Sequence, residues 1–302
     1  MYSINDVLKI LEKGKVKYKY NYLAEISINA FSSLNDLKEN SITWVKHINE
    51  HSVAYLKNTS NVLFLCDIDE YREDLDNVIF VANLKRTFFR IIKEFFGEMD
   101  YDQQIPKVEK SAIVLSEKIG NSVYIGHHSF IDRNVSIGNN VTILHNVVIQ
   151  GNVSIADDVF IESGANIGVC GFGYYLNEQN KSERVPHLGR IIIGNKVVIG
   201  AGTCIARGSL NDTIIEDNVK IDNLCHIAHS VHLRDGAMIT ACSEISGSVT
   251  IGENTWLGPN TSIKNGLTLG NNVFTGIATN VVKDVPDDTL IYGNPGKIKG
   301  EK

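Results

Sequence analysis

The chain has no surplus of positive charge, no long apolar run and no paired-cysteine motif. Its 29 Lys and Arg stand against 35 Asp and Glu, a formal net charge of −6. That balance counts against nucleic acid or an anionic membrane as the main partner. No stretch is apolar over the length a bilayer crossing needs, so no membrane span is expected. The opening segment, Met1 to Lys13, alternates charged with apolar residues and lacks the apolar core of a signal peptide. The five cysteines (Cys66, Cys170, Cys204, Cys225, Cys242) are odd in number and form no C-x-x-C pair. Free thiols in a reducing compartment are expected, rather than a disulfide framework. The P-loop, the G-x-S-x-G elbow and the H-E-x-x-H helix are absent. Gly171-Phe-Gly-Tyr is glycine-rich but is not G-x-G-x-x-G and has no strand–helix unit around it.

What is present is a ladder. From Ile113 to Ile167 an isoleucine falls at every sixth position, and from Val123 to Ala165 a small or β-branched residue stands two before each. Six is neither the helical nor the strand period, so the pattern belongs to a stacked repeat. Three hexads make a coil of 18 residues, which places residues 18 apart above one another at about the 4.8 Å spacing of paired strands. Each Ile is expected to point inward. The corners need residues that tolerate positive φ, and the position three before each Ile supplies Asn134, Asn140, Asn146, Asn152, Asp158 and Gly164. The step breaks after Ile167, resumes at Ile193, Ile199 and Ile205, breaks again over 206–214, and then runs from Ile215 to Val281. Insertions in a rigid scaffold mark the place for a site.

Residues 1–105 have a mixed texture. Ser3 caps an expected helix bearing Val7, Leu8, Ile10 and Leu11 that stops at Gly14. Strand-like runs follow at Ser41–Val45, Val62–Cys66 and Val78–Ala82. A second helix is expected after Asn83, with Leu84, Phe88, Ile91, Ile92 and Phe95 on one stripe ending at Gly97. Asp100–Lys107 reads as a linker. The expected organisation is an α/β domain over 1–105, a repeat domain over 106–285 and a tail over 286–302.

His226, His229 and His232 form H-x-x-H-x-x-H, but on a six-residue face they cannot all point one way, so no metal site is expected. His229 stands out for its neighbours. One coil below lies Asn211, beside Asp212, and one coil above lies Gly247, where a bare backbone N–H can approach a ligand.

Several blocks carry a resemblance: Gly171-Phe-Gly-Tyr, Gly189-Arg-Ile-Ile-Ile-Gly, Arg207-Gly-Ser-Leu-Asn-Asp-Thr-Ile-Ile and Ile221-Asp-Asn-Leu-Cys-His-Ile-Ala-His-Ser-Val. In order and spacing over roughly 110–270 the chain resembles the UDP-3-O-acylglucosamine N-acyltransferases of lipid A synthesis. The resemblance implies a mainly β fold, a left-handed parallel β-helix behind an α/β nucleotide-binding-like domain. It further implies a homotrimer with sites between subunits in the bacterial cytoplasm. The family's general base falls on His229 and its backbone oxyanion donor on Gly247. Asp212 or Asn211 is then a candidate to orient the imidazole, and Asn211 and Asn223 are candidate substrate-binding residues.

The chain also departs from that pattern. Where the family carries a Phe-x-x-Asn-x-x-Tyr cluster for uridine, this chain has Trp44, His47 and Glu50. Trp44 and His47 remain the candidate nucleotide contacts. A second family histidine near the acyl site corresponds to Gly266, which is a candidate contact for the acyl-CoA cofactor. The ending, with Gly293-Asn-Pro-Gly-Lys297, resembles coenzyme A-dependent hexapeptide-repeat sugar acyltransferases and makes Lys297 a candidate contact for a CoA phosphate. The leading expectation is therefore acylation of the amine of a nucleotide-linked amino sugar from a short acyl-CoA, for bacterial surface glycans such as O-antigen or capsule. The alternative is lipid A N-acyl transfer from a 3-hydroxyacyl carrier protein. A catalytically inactive trimeric β-helix scaffold is the reading of another class.

Overall fold

The computed structural model describes residues 1–97 and 106–301. Most of the expected linker, 100–105, lies outside the described residues. The chain divides into two compact units, Met1–Tyr101 and Asp102–Lys302.

In the first unit, a five-stranded sheet has Ser41–Val45, Val62–Asp67 and Val78–Val81 as parallel neighbours, with Tyr18–Lys19 antiparallel at one edge and Ala30–Phe31 at the other. The run Val62-Leu-Phe-Leu-Cys66 is apolar throughout because both sheet faces are covered. Leu63 and Leu65 pack with helices α1 (Ile4–Lys13) and α3 (Leu84–Phe96), while Val62, Phe64 and Cys66 face a second core. Ser3 and Asp6 form a reciprocal capping box that starts α1. Helix α2 (Glu50–Asn58) escapes the periodicity reading, since only Ser52 and Leu56 of it are buried and no apolar stripe forms.

The second unit is a three-sided parallel β-helix. Among the described residues its faces are sheets of 8, 11 and 9 short strands, and nearly every strand pairs with the one a full coil away. We call the face containing Tyr124–Ile125 the first, that containing Phe130–Ile131 the second, and that containing Val135–Ile137 the third. Ile125 sits on Ile143 and Ile143 on Ile161, the 18-residue register expected. From Ile125 onward the inward isoleucines are buried, and the β-branched residues two before them, such as Val141, Val147 and Val159, fill the same core.

The lowest coil departs from the ladder. Ile113 pairs with the outward Phe130 while Val114 pairs with Ile131, and Ile113 is 57% exposed. A one-residue slip in a period-two strand reverses which side chain faces the core. Of the six expected corner residues, Asn140, Asn146, Asp158 and Gly164 have positive φ; near 152 the turn is made by Gly151 instead, and Asn134 is not in that region. The corner of Asn140 and Asp158 is also held by stacked side-chain caps. Asn139, Asp157, Asn195 and Asp217 each accept, through Oδ1, the backbone N–H of the residue a coil below (2.9, 2.7, 3.1 and 2.7 Å).

Both insertions leave the prism at one corner, between the second and third faces. The first connects Asn166–Cys170 to Ile191–Ile193 and carries a hairpin, Tyr174–Leu176 with Ser182–Arg184. The second connects Cys204–Arg207 to Thr213–Ile215. The coil register closes over both, with Ile155 on Ile193 and Ile193 on Ile215. At the far end Thr289–Tyr292 extends the first face and Lys297–Glu301 pairs back upon it.

Truncation of a mid-prism isoleucine, Ile161→Ala, leaves a void that flanking coils cannot fill. It is expected to cost about 2–5 kcal/mol, read as a fall in the denaturation midpoint at unchanged slope.

Candidate active site

Three successive coils place their exceptional residues at the corner that bears the insertions. His229 follows the strand His226–Ile227 of the second face and precedes His232–Leu233 of the third. Its carbonyl accepts the N–H of Ser248, which fixes Gly247 in the coil above. The imidazole lies close over Gly247: a Cβ there would stand 2.6 Å from both Nε2 and Cε1 of His229. The missing side chain is required by close approach, since the Gly247 φ is not in the left-handed region. The Gly247 amide itself donates no hydrogen bond among the described residues.

Below His229 lies His187, near the end of the first insertion. The two rings meet edge to face with centroids 5.4 Å apart. His187 is buried, and its Nδ1 lies 2.9 Å from the carbonyl of Val185. Gly171 makes room for both rings, because a Cβ there would meet His187 Nε2 at 2.6 Å and His229 Cδ2 at 2.9 Å. Arg207, from the strand entering the second insertion, donates through Nη2 to Cys170 Sγ at 2.8 Å. Among the described residues, the buried side-chain nitrogens and oxygens without a hydrogen-bond partner are His187 Nε2, Arg207 Nε and His229 Nδ1. All three belong to this corner. Buried polar atoms are normally satisfied, so their concentration here marks a place prepared for something else. Burial, and secondarily the neighbouring His187, push the His229 imidazole below its ordinary value of 6.5.

The other anticipated residues are distributed as follows. The Asp212 carboxylate does not orient His229, which is a correction. It accepts from the Arg190 backbone N–H (2.9 Å) and from Nη2 (2.8 Å) and Nε (3.2 Å) of Arg190, tying the ends of the two insertions together. That ion pair lowers the Asp212 carboxyl. Asn211 is exposed, and its backbone carbonyl packs against Gly189 and Gly208. Gly266 is in the same column, with its N–H on the Gly247 carbonyl at 2.9 Å and open space where a side chain would stand. Asn223 lies at the corner between the first and second faces, where its Oδ1 accepts the Ala201 N–H at 2.6 Å; within the chain it is not brought to His229. Lys297 is exposed on the end hairpin, opposite Tyr292 and several coils beyond His229. His226 is exposed on the second face, and His232 Nε2 contacts Glu216 Oε1 at 2.5 Å, so the three histidines of the motif do not converge.

In the first unit Trp44 and His47 do meet. They line a cleft of about 830 Å³ with Lys46, Asp67, Lys85 and Arg86. Trp44 stacks on Phe88 at 5.9 Å, and His47 Nδ1 lies 3.2 Å from Glu70 Oε1. An aromatic ring beside three cations suits a base and its phosphates. Periodicity had no means of finding His187 or Arg190, which fall in or at the end of an insertion outside the hexad count.

The crowding above His229 predicts the behaviour of Gly247→Ala. The ring must move, and its titration midpoint, followed by imidazole NMR, is expected to rise from below 6.5 in the parent toward 6.5. A parent midpoint above 6.5 contradicts the burial. Because the folded state holds the ring neutral, its stabilising contribution is complete above 6.5 and is lost as pH falls below that value.

Comparison with known proteins agrees with this architecture. The family of bacterial transferase hexapeptide (six repeats) matches residues 134–168 and 212–247. Over 140 residues the chain is 52% identical to UDP-3-O-acylglucosamine N-acyltransferase of Caulobacter vibrioides, covering 46% of this chain and 41% of that protein. Over 90 residues it is 48% identical to the protein of that name from Pseudoalteromonas translucida, covering 30% and 26%. The aligned part is therefore less than half the length of these relatives. Among solved structures, UDP-N-acetylglucosamine acyltransferase from Campylobacter jejuni shares the fold at a TM-score of 0.58 and 24% identity, over 65% of this chain and 75% of that one. A counterpart from Bacteroides fragilis gives 0.56 and 24%, over 65% and 74%. No helix among the described residues is long and apolar enough to cross a membrane. The chain is a left-handed β-helix protein with bacterial-transferase hexapeptide repeats that resembles the UDP-3-O-acylglucosamine N-acyltransferases.

Proposed function

We propose that the protein is an N-acyltransferase that moves an acyl group from a thioester to the amine of a nucleotide-linked amino sugar, in the bacterial cytoplasm. The observation that carries the reading is the His229 imidazole held neutral over the free amide of Gly247, at the corner where both insertions emerge. An amine attacks a thioester only through its lone pair. His229 Nε2, on the Gly247 side of its ring, takes the proton that amide formation releases. As the carbonyl becomes tetrahedral its oxygen gains charge, and the Gly247 N–H is a donor that needs no reorganisation to meet it. The thiolate then leaves with the proton from His229.

Between the two donors, the relatives favour lipid A N-acylation with a 3-hydroxyacyl carrier protein thioester over a short acyl-CoA and an O-antigen sugar, since the matched proteins act on UDP-3-O-acylglucosamine. Lys297, the anticipated CoA contact, stands exposed on the end hairpin, away from His229. We assign the nucleotide to the cleft at Trp44 and His47, with Lys46, Lys85 and Arg86 for its phosphates. We further propose a homotrimer, in which neighbouring prisms complete the corner.

Amide formation from 3-hydroxyacyl carrier protein and UDP-3-O-acylglucosamine, followed by mass spectrometry, tests the reading; a parallel panel pairs short acyl-CoAs with UDP- and dTDP-linked amino sugars. Turnover only with the panel would replace the donor, and no amide in either arm would remove the reading. His229→Ala is expected to lower kcat by about 10²–10⁴ with sedimentation unchanged. Trp44→Ala is expected to weaken nucleotide-sugar binding by about 1–3 kcal/mol, read as a higher KM at nearly constant kcat.

A further inference from the structure

The cleft of the first unit carries a carboxylate that the nucleotide assignment leaves unused. Three parallel strands end at this cleft, with Val62–Asp67 between Ser41–Val45 and Val78–Val81. Ligands of open α/β sheets collect beyond such carboxyl ends. Trp44 and Lys46 come from the end of one outer strand, Asp67 closes the middle strand, and Lys85 and Arg86 follow the other outer strand. Trp44 pairs with Leu65, so alternation puts Trp44, Leu65 and Asp67 on one face of the sheet. Helix α3 covers that same face, since its apolar side chains share a core with Leu65. The first turn of α3 holds Lys85 and Arg86 with no acidic residue, and Asn83 gives it no side-chain cap. Cations at that end oppose the helix dipole, an arrangement that a bound anion relieves.

The charges lining this cleft do not satisfy one another. Among the described residues, the side chains of Lys46, Lys85 and Arg86 have no hydrogen-bond or ion-pair partner. Asp67 is the one carboxylate in the lining and pairs with none of them. Its Oδ1 accepts the Asp69 N–H at 3.1 Å, which fixes the side chain, and its Oδ2 accepts nothing among the described residues. The nearby Glu70 is already engaged, on the Ile48 N–H and on His47. A carboxylate and three cations left unpaired in one cleft are matched by a ligand that brings both hydroxyl donors and negative charge. In a nucleoside diphosphate those are the ribose and the phosphates. The strand order supplies their sequence. Neighbouring strands lie about 4.8 Å apart. With the base at Trp44 and the phosphates at Lys85 and Arg86, the ribose falls over the middle strand, where Asp67 ends.

Resting on the assignment of the nucleotide to this cleft, we infer that Asp67 is a specificity-determining residue that reads the ribose. Its carboxylate accepts the 2′- and 3′-hydroxyls, so the chain takes a ribonucleoside diphosphate sugar and discriminates against the 2′-deoxy form. A carboxylate only accepts, and a removed hydroxyl leaves it one donor short. An ammonium would also suit Asp67, but the acceptor amine is the group that His229 serves in the reading above. The base stack and the phosphate contacts are common to both sugars, so Asp67 carries the distinction between them.

Isothermal titration of the full chain with UDP, 2′-deoxy-UDP and dTDP tests the inference in the wild type, in Asp67→Ala and in Asp67→Asn. UDP and 2′-deoxy-UDP differ by one hydroxyl, so the ratio of their affinities isolates the sugar contact. The wild type is expected to bind UDP about tenfold more tightly, the worth of one hydrogen bond to a charged group. dTDP is expected to follow 2′-deoxy-UDP. In Asp67→Ala the ratio is expected to fall to about one. Asn keeps the bond to the Asp69 N–H and the size of the side chain, so it carries the test if Ala fails to fold. Its ratio is expected to be about threefold, because a neutral hydrogen bond is about half as strong. A role confined to holding the turn would weaken UDP and 2′-deoxy-UDP alike and leave the ratio unchanged, which overturns the inference. Equal affinities in the wild type overturn it as well. If those equal affinities both fall in Trp44→Ala, the cleft still holds the nucleotide and only the ribose contact is wrong. If neither nucleotide binds, the nucleotide assignment fails and the inference with it.

Discussion

Everything in the second unit depends on the inward isoleucine column. From Ile137 to Ile227 each inward Ile lies on the Ile of the coil below, so the core is continuous along the prism and the strands above and below it are forced into register. Parallel pairing over two or three residues has little strength of its own. It persists because every short strand is held from both sides and its apolar side chain has nowhere else to go. The Asn–Asp caps at one corner act in the same sense, since each side chain satisfies an amide that the bend would leave bare.

A scaffold this regular has few degrees of freedom in which to build a site. It obtains them by letting the chain leave at one corner in two successive coils and by placing His229 on the next. The returning segments are then pinned. Arg190 and Asp212 clamp the ends of the two insertions, and Arg207 crosses to Cys170. Two glycines remove the side chains that would block the rings, Gly247 above and Gly171 below. The result is a desolvated imidazole between a free amide and a second imidazole, with three buried nitrogens unsatisfied. Elsewhere in the prism, polar groups near the core find partners, as Thr261 and Thr275 do with each other at 2.8 Å. The contrast separates the part of the molecule built for stability from the part built for binding.

The first unit shows the same division on a smaller scale. Its buried strands read directly from composition, because a sheet covered on both faces needs apolar residues at every position. Helix α2 did not, because a helix that buries only Ser52 and Leu56 leaves no stripe to detect. Ile113 marks the limit of the ladder for a related reason. The identity of the residue agrees with the hexad, but the coil that contains it is one residue out of step, and pairing decides orientation in a strand.

The sequence by itself determined the repeat, its register, the positions of both insertions, and the stacking of Gly247 over His229. These follow from counting, because a fixed period along the chain becomes a fixed translation in space. Only the tertiary structure decided which side chains close the site. His187 and Arg190 sit in or beside an insertion where the period is suspended, so their distance from His229 along the chain carries no information about their distance in space. Asp212 shows the converse: sequence adjacency placed it beside the imidazole, but a nearer guanidinium claimed its carboxylate. Hydrogen-bond partners are settled by competition among all the groups that converge at a point, and only the folded chain brings those groups together.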